Sequence, residues 1–505
     1  MKLFVRKSLE QLMAMPEEGG STLKRTFGSG NLIALGIGAI IGAGLFVRTA
    51  AAAGSHAGPA VTISFIIAAV GCAFAGLCYA EFASIIPIAG SAYTYAYATM
   101  GEIVAWIIGW ALILEYALGA ATVSISWSEY ANNLLGQRIP FEWCHSPMES
   151  AIINGVTHTG IINIPAIVIL LALSLLLIKG TQESATVNAV IVFIKVAIVL
   201  VFIAIGWQFI NPVNHTPYLI PANAPAAILP DGSSYSYAPF FNHGWGGVLT
   251  GAGIVFFAFI GFDAVSTAAQ EAKNPKRDMP IGILGSLVVC TILYILFSWV
   301  LTGVAPYQDF MRAGKEASVA YAISHYMAGY SWLSTLVTVA ILAGFSSVIL
   351  VMLLGQSRVF YTMSTDGLLP KVFSDLHPKF STPYKSNMIL FVFVGAFAAF
   401  LPSSIAGDLT SIGTLFAFVL VCIGVMILRS TDPDLVRPFK TPLVPLVPIL
   451  GILICAAMII SLPTSTQLSA FGWMLIGLII YFGYSRKHSK LGTAVDALPK
   501  ATNFE

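Results

Sequence analysis

The chain has 505 residues, of which 57% are hydrophobic and only 10% charged, with a mean hydropathy of +0.84 and a formal net charge of +2. Ordinary soluble domains carry about a quarter charged residues, so this composition excludes a soluble globule, and the near-neutral balance gives no sign of a nucleic-acid partner. It requires a polytopic membrane protein embedded in a lipid bilayer.

Residues 1–30 read as a cytoplasmic N-terminal arm. Met1 to Arg25 is polar and mixed in charge, without the apolar core of a cleaved signal peptide. Apolar runs long enough for spans of about 20 residues then follow at 31–54, 60–87, 101–130, 160–179, 185–208, 244–270, 281–304, 333–364, 387–402, 408–428, 444–462 and 467–484. Twelve spans are expected, leaving both termini on one side. Of the 25 Lys and Arg residues, 20 fall on that side, four (Arg48, Arg138, Arg312, Lys315) on the other, and Lys195 inside a span. The positive-inside rule makes the shared side cytoplasmic, which predicts a multi-pass protein of the cell membrane.

The expected organisation is a first half of spans 1 to 5 at 31–208, an external loop at 209–243, a second half of spans 6 to 10 at 244–430, spans 11 and 12 at 431–485, and a cytoplasmic tail at 486–505. The external loop is rich in proline, which denies it a long helix. Halves with an odd number of spans face opposite ways, so they would be inverted repeats. Five cysteines fall within spans and Cys144 in an external loop, with no pattern for a disulfide or thiolate metal site.

Two Gly-broken stretches occupy the same ordinal position in each half: GIGAIIGAGLF at Gly36 to Phe46 and TGAGIVFFAFIGFDA at Thr250 to Ala264. Interrupted membrane helices at matching places point to a transporter's substrate site. Backbone groups freed by unwinding cannot be satisfied by hydrocarbon, but a polar solute can satisfy them. The alternative is that Gly42 and Gly44 serve close helix packing.

Four further features stand out. Lys195 lies at least eight residues from either end of its span, where a charged lysine costs several kcal/mol; it is the candidate for coupling protonation to the broken helix, with a permanently charged structural role as the alternative. Glu115 is the other lone deep charge, either bordering the substrate chamber or serving as a buried structural acceptor. Asp263 follows the second break, and a helix-capping role is favoured for it. Glu271 and Arg358 could form an ion pair at the inner mouth, or belong to a solvated loop. No HExxH, GxSxG or paired intramembrane aspartates mark an enzyme, and no cofactor or metal is indicated.

GSGNLIALGIGAIIGAGLFV (Gly28 to Val47), CYAEFASIIPIAGSAYTYAY (Cys78 to Tyr97), GWALILEYALG (Gly109 to Gly119), FFAFIGFDAVSTAAQEAKNPKRDMPIGI (Phe256 to Ile283) and GQSRVFYTMSTDGLLP (Gly355 to Pro370) together resemble the cationic amino acid transporter family of the amino acid/polyamine/organocation superfamily. The resemblance covers about residues 24–440 in order. It implies an all-α, LeuT-type 5+5 inverted repeat with two extra C-terminal spans, and amino acid uptake, usually proton-driven. It also implies that unwound backbone holds the zwitterion: amides after Gly42, at Ala43, Gly44 and Leu45, for the carboxylate, and carbonyls at Ile40, Ile41, Phe257, Ala258 and Ile260 for the ammonium. A lysine at the position of Lys195 replaces a bound sodium ion in related proton-coupled transporters. Family members line the side-chain pocket where AGFSSV (Ala343 to Val348) falls, so Phe345 would narrow the cavity and favour small or neutral side chains, the alternative being that it faces other helices. A proton-coupled symporter is the expectation, with an exchanger or a non-transporting sensor as alternatives. The preferred amino acid, the oligomeric state and a small single-span partner are left open.

Overall fold

The computed structural model of the chain describes residues 5–7, 27–86, 91–180, 185–267, 272–312, 318–380 and 382–491. Its principal helices are α1 (Ser29–Ile40), α2 (Val61–Ile85), α3 (Ser91–Thr99), α4 (Glu102–Ile113), α5 (Gly119–Leu134), α6 (Ile164–Ile178), α7 (Ala185–Gly206), α8 (Gly244–Val255), α9 (Ala264–Thr267), α10 (Pro275–Val304), α11 (Ser318–Tyr326), α12 (Ser331–Thr365), α13 (Tyr384–Phe400), α14 (Ser403–Thr431), α15 (Leu446–Ser461) and α16 (Thr464–Ile480). Among the described residues, seven helical stretches are long and apolar enough to cross a membrane, and five shorter apolar helices accompany them. The chain is a mostly helical, multi-pass membrane protein.

Proline sets many of the starts. It stands at the first turn of α10 and just before α13, α14, α15 and α16. There its missing N–H is harmless and its fixed φ suits the helix. The start of α6 is capped by Asn163, whose side chain accepts from the Ala166 amide at 3.2 Å. Where α2 and α10, or α5 and α12, run side by side, their facing positions are buried while large apolar side chains such as Phe193, Val288 and Ile479 point outward. In lipid that outer surface needs no cover.

Two departures from the all-α expectation occur in the loops. β1 (Ser150–Ile153) pairs antiparallel with β2 (Val156–Thr159), and β3 (Ala227–Ile228) with β4 (Ser234–Tyr235). The first hairpin turns on Asn154 and Gly155, with φ of 53° and 79°. Asn-Gly is the favoured pair for a two-residue turn needing positive φ at both positions. The stretch Asp432 to Phe439, which follows α14, is anchored to the bundle. Arg437 is buried, donating to the carbonyls of Leu428, Asp432, Pro433 and Leu435 and lying 3.3 Å from Glu81. Its guanidinium thereby ties the last turn of α14, at Leu428 O, to the carbonyls of the segment that follows it.

Both described terminal segments converge on one end of the bundle. The Glu102 amide donates to Val5 O at 3.0 Å and the Lys7 amide to Tyr97 O at 3.2 Å, while Lys7 Nζ pairs with Asp366 at the end of α12. From the other terminus, the hydroxyls of Tyr481 and Ser489 donate to the buried Glu102 carboxylate.

Candidate functional site

The first break begins where α1 ends at Ile40. Ile41 leaves the helix with φ −73° and ψ 108°, and the chain re-enters helix through Gly44–Arg48. Leu45 and Phe46 donate to Gly42 O at 3.2 and 3.4 Å, so the amides of Gly42, Ala43 and Gly44 precede the first hydrogen bond of the new helix. These are the groups through which a helix start attracts an anion.

The second break follows α8. A tight turn at Phe256–Phe259 gives way to Ile260 in extended backbone, and Gly261 has φ of +108° before α9 begins. A side chain at Gly261 would be strained by that φ and would also stand 2.9 Å from Ala39 O.

The two breaks meet. A Cβ on Gly44 would lie 2.1 Å from Ala258 Cα, so only glycine allows this crossing. The packing role and the substrate-facing role weighed for Gly44 are therefore not exclusive. Gly42 faces Val348 of α12, whose Cγ2 would stand 3.0 Å from an added Cβ. Ile40, Ile41, Ala43, Phe257, Ala258 and Ile260 are all buried around the crossing.

Lys195, on α7 and buried, donates from Nζ to Gly38 O at 2.8 Å, three residues before Ile41. Its chain passes Gly344 of α12, where a Cβ would sit 3.0 Å from Lys195 Cε. The lysine is thus brought to the last turn of α1.

Phe345 packs its ring against Phe46 at 6.3 Å and Tyr130 at 5.7 Å between centroids, and Phe46 meets Phe297 edge-on at 5.8 Å. This aromatic wall stands beside the helix that restarts after Gly44.

Glu115 lies in the π-helical turn Leu114–Leu118, fully buried. Asp263 and Thr414 face its carboxyl, whose oxygens have no hydrogen-bond partner among the described residues. Asp263 Oδ2 accepts from Tyr116 at 2.9 Å, tying the second break to the element that carries Glu115. Of the expected inner pair, Arg358 lies in α12 and Glu271 lies outside the described residues.

Sequence reasoning missed two groups. Tyr294 of α10 places its hydroxyl 3.1 Å from Ile40 O and 2.9 Å from Ala258 O, touching both breaks. Arg48, counted only as a far-side cation, pairs in the interior with Asp408 of α14. Nothing local marks Tyr294 in a span containing many apolar residues, but Asp408 near the start of a span carried a readable signal.

Together, a multi-pass helical bundle and two helix breaks that cross at its centre define a membrane solute carrier. The profile of the amino acid permease family matches residues 27–484, and the chain belongs to that family. It is 44% identical to the branched-chain amino acid permease BcaP of Bacillus subtilis (strain 168), over 97% of this chain and 99% of that protein. It is 40% identical to the methylthioribose transporter of the same organism, over 97% and 99%. With the vacuolar cationic amino acid transporter 4 of Arabidopsis thaliana it shares 34% identity, over 85% of this chain and 67% of that one. These relatives are permeases and transporters, not enzymes, and the superfamily expected from the sequence motifs is the one found.

Proposed function

We propose that this protein moves zwitterionic amino acids with neutral side chains across the cell membrane by alternating access, coupled to a proton. The observation that carries the reading is the crossing of the two breaks at Gly44 and Ala258. It sets Gly44, at the start of the new helix, against Ala258 of the second break, and the amides at Ala43 and Gly44 and the carbonyls at Ile40, Ile41, Phe257, Ala258 and Ile260 are read as the two poles of the site. A carboxylate and an ammonium on one carbon suit such a pair of opposite poles. The bundle is read as twelve spans in a 5+5 inverted repeat with two spans added, both termini cytoplasmic.

Side-chain preference follows from the aromatic wall of Phe46, Tyr130 and Phe345, which offers apolar surface and no counter-charge for a cationic substrate. The branched-chain permease BcaP, similar along its whole length, supports the same preference. Proton coupling is assigned to Lys195. Its bond to Gly38 O holds the end of α1 only while Nζ has a hydrogen to donate in that direction, and a gain or loss of charge there alters the hold on the broken helix.

The test is uptake of radiolabelled leucine, alanine, arginine and methylthioribose into proteoliposomes, with and without an inward proton gradient, for wild type and Lys195→Ala. Gradient-stimulated uptake of neutral amino acids that vanishes in the variant is expected. Uptake indifferent to gradient and variant would make the protein an exchanger, and binding without flux a sensor. Uptake of methylthioribose alone, the printed cargo of one relative, would overturn the amino acid reading.

A further inference from the structure

The Tyr294 hydroxyl has one hydrogen and two carbonyl acceptors within reach, Ile40 O at 3.1 Å and Ala258 O at 2.9 Å. The first belongs to the end of α1 and the second to the turn after α8, so one side chain on a third helix joins the two breaks. Its ring is fixed between Phe65 and Phe259, at centroid distances of 5.4 and 5.2 Å, and the whole residue is buried. The hydroxyl is therefore held in place independently of the bonds it makes.

A carbonyl oxygen has two lone pairs. Two carbonyls sharing one hydroxyl hydrogen keep most of their accepting capacity, and they are held at a separation that a single small donor spans. An α-ammonium group is such a donor, with three hydrogens and no competing acceptor. A donor lacking charge would gain less from them, since charge-assisted bonds are roughly twice as strong.

We propose that Tyr294 is a positioning residue for substrate, whose hydroxyl sets the spacing and aim of the Ile40 and Ala258 carbonyls so that both accept from one α-ammonium group. It acts through those carbonyls and leaves the substrate's side chain to the aromatic wall. Because it grips one element from each break, it also makes ammonium capture a joint event of both. This inference rests on the amino acid reading given above.

The test is the substrate dependence of uptake in proteoliposomes for Tyr294→Phe, which keeps the ring and removes the hydroxyl, alongside thermal unfolding of the purified protein with and without leucine. The expected result is a KM for leucine raised about tenfold, the scale of one charge-assisted hydrogen bond, with kcat changed less than about twofold and the unfolding temperature without leucine close to wild type. The stabilisation that leucine confers should shrink in parallel. An unchanged KM overturns the proposal. So does a lowered unfolding temperature with leucine stabilisation intact, which would make the hydroxyl a structural strut. Should Tyr294→Phe not accumulate in membranes, Tyr294→His and Tyr294→Leu are compared. A lower KM for the histidine variant, which retains an N–H donor, supports the proposal, and equal values overturn it. If wild type neither takes up nor is stabilised by any amino acid, the amino acid reading fails, and the inference with it; wild-type uptake with no effect at Tyr294 defeats the inference alone.

Discussion

Arg48 and Asp408 form a buried ion pair that joins the helix restarting after the first break to the first turns of α14. A second buried pair is Lys7 with Asp366, where Tyr93 also donates to the carboxylate at 2.7 Å. Each pair ties a residue from the N-terminal part of the chain to a long helix of the bundle by buried opposite charges.

Removing one partner of a buried pair leaves an uncompensated charge and costs about 3–5 kcal/mol, whereas replacing both by apolar groups is often neutral. Asp408→Asn should therefore lower the unfolding temperature and cut uptake at least tenfold. The double variant Arg48→Met with Asp408→Leu should recover most of the thermal stability without recovering uptake, since the charges that open and reform would be gone. Parallel measurements of unfolding and uptake check this, and a double variant that transports like wild type would remove the pair from the transport cycle.

Gly44→Ala places a methyl group 2.1 Å from Ala258 Cα, a clash of side chain against backbone that no rotamer change relieves. It should abolish uptake while leaving the helical content of the protein measured by circular dichroism close to wild type. Gly472→Ala, where an added Cβ meets nothing within 4 Å, is the matched control and should transport normally. Uptake by Gly44→Ala at wild-type rates would mean that the crossing is not part of the transport path.

Hydrophobic run length and glycine spacing made the membrane class and the position of both breaks legible before any coordinates, because a bilayer imposes one length and one remedy for free backbone groups. Lys195 was legible for the same reason, as a charge deep within an apolar run. Long-range partners were not. The reach of Tyr294 to Ile40 and Ala258, or of Arg48 to Asp408, depends on which helices become neighbours, and no spacing within α10 or α14 encodes that. The β1–β2 hairpin is a different case. Asn154-Gly155 between Ile152-Ile153 and Val156-Thr157 is a plain local turn signal that the expectation of an all-helical chain obscured.

Phe345→Ser removes a buried ring from the aromatic wall and opens space beside Phe46 and Tyr130. Aromatic truncations in cores cost about 3–5 kcal/mol, so the variant should unfold at lower temperature. Its competition profile should shift, with bulky amino acids such as phenylalanine and tryptophan inhibiting leucine uptake more strongly than in wild type. A profile identical to wild type would show that the wall does not bound the side-chain pocket.

His145, in the loop after α5, lies 2.7 Å from the Glu129 carboxylate with only 17% of its side chain exposed. Burial disfavours its charged form, but the Glu129 charge outweighs that and holds the imidazolium up to about 9, against an ordinary 6.5. The group binds its proton more tightly in the folded state, so its contribution is full below pH 6.5 and is lost as the pH rises through about 9. At 1.36 kcal/mol per pH unit the loss is of order 3 kcal/mol. Thermal unfolding followed from pH 6 to 10 should therefore fall over the upper part of that range in wild type. Glu129→Gln, which keeps the side-chain shape without the charge, should be less stable at pH 7 and nearly flat across the same interval. A wild-type curve with no decline toward pH 10 would mean that the loop is held on α5 without the charge on His145.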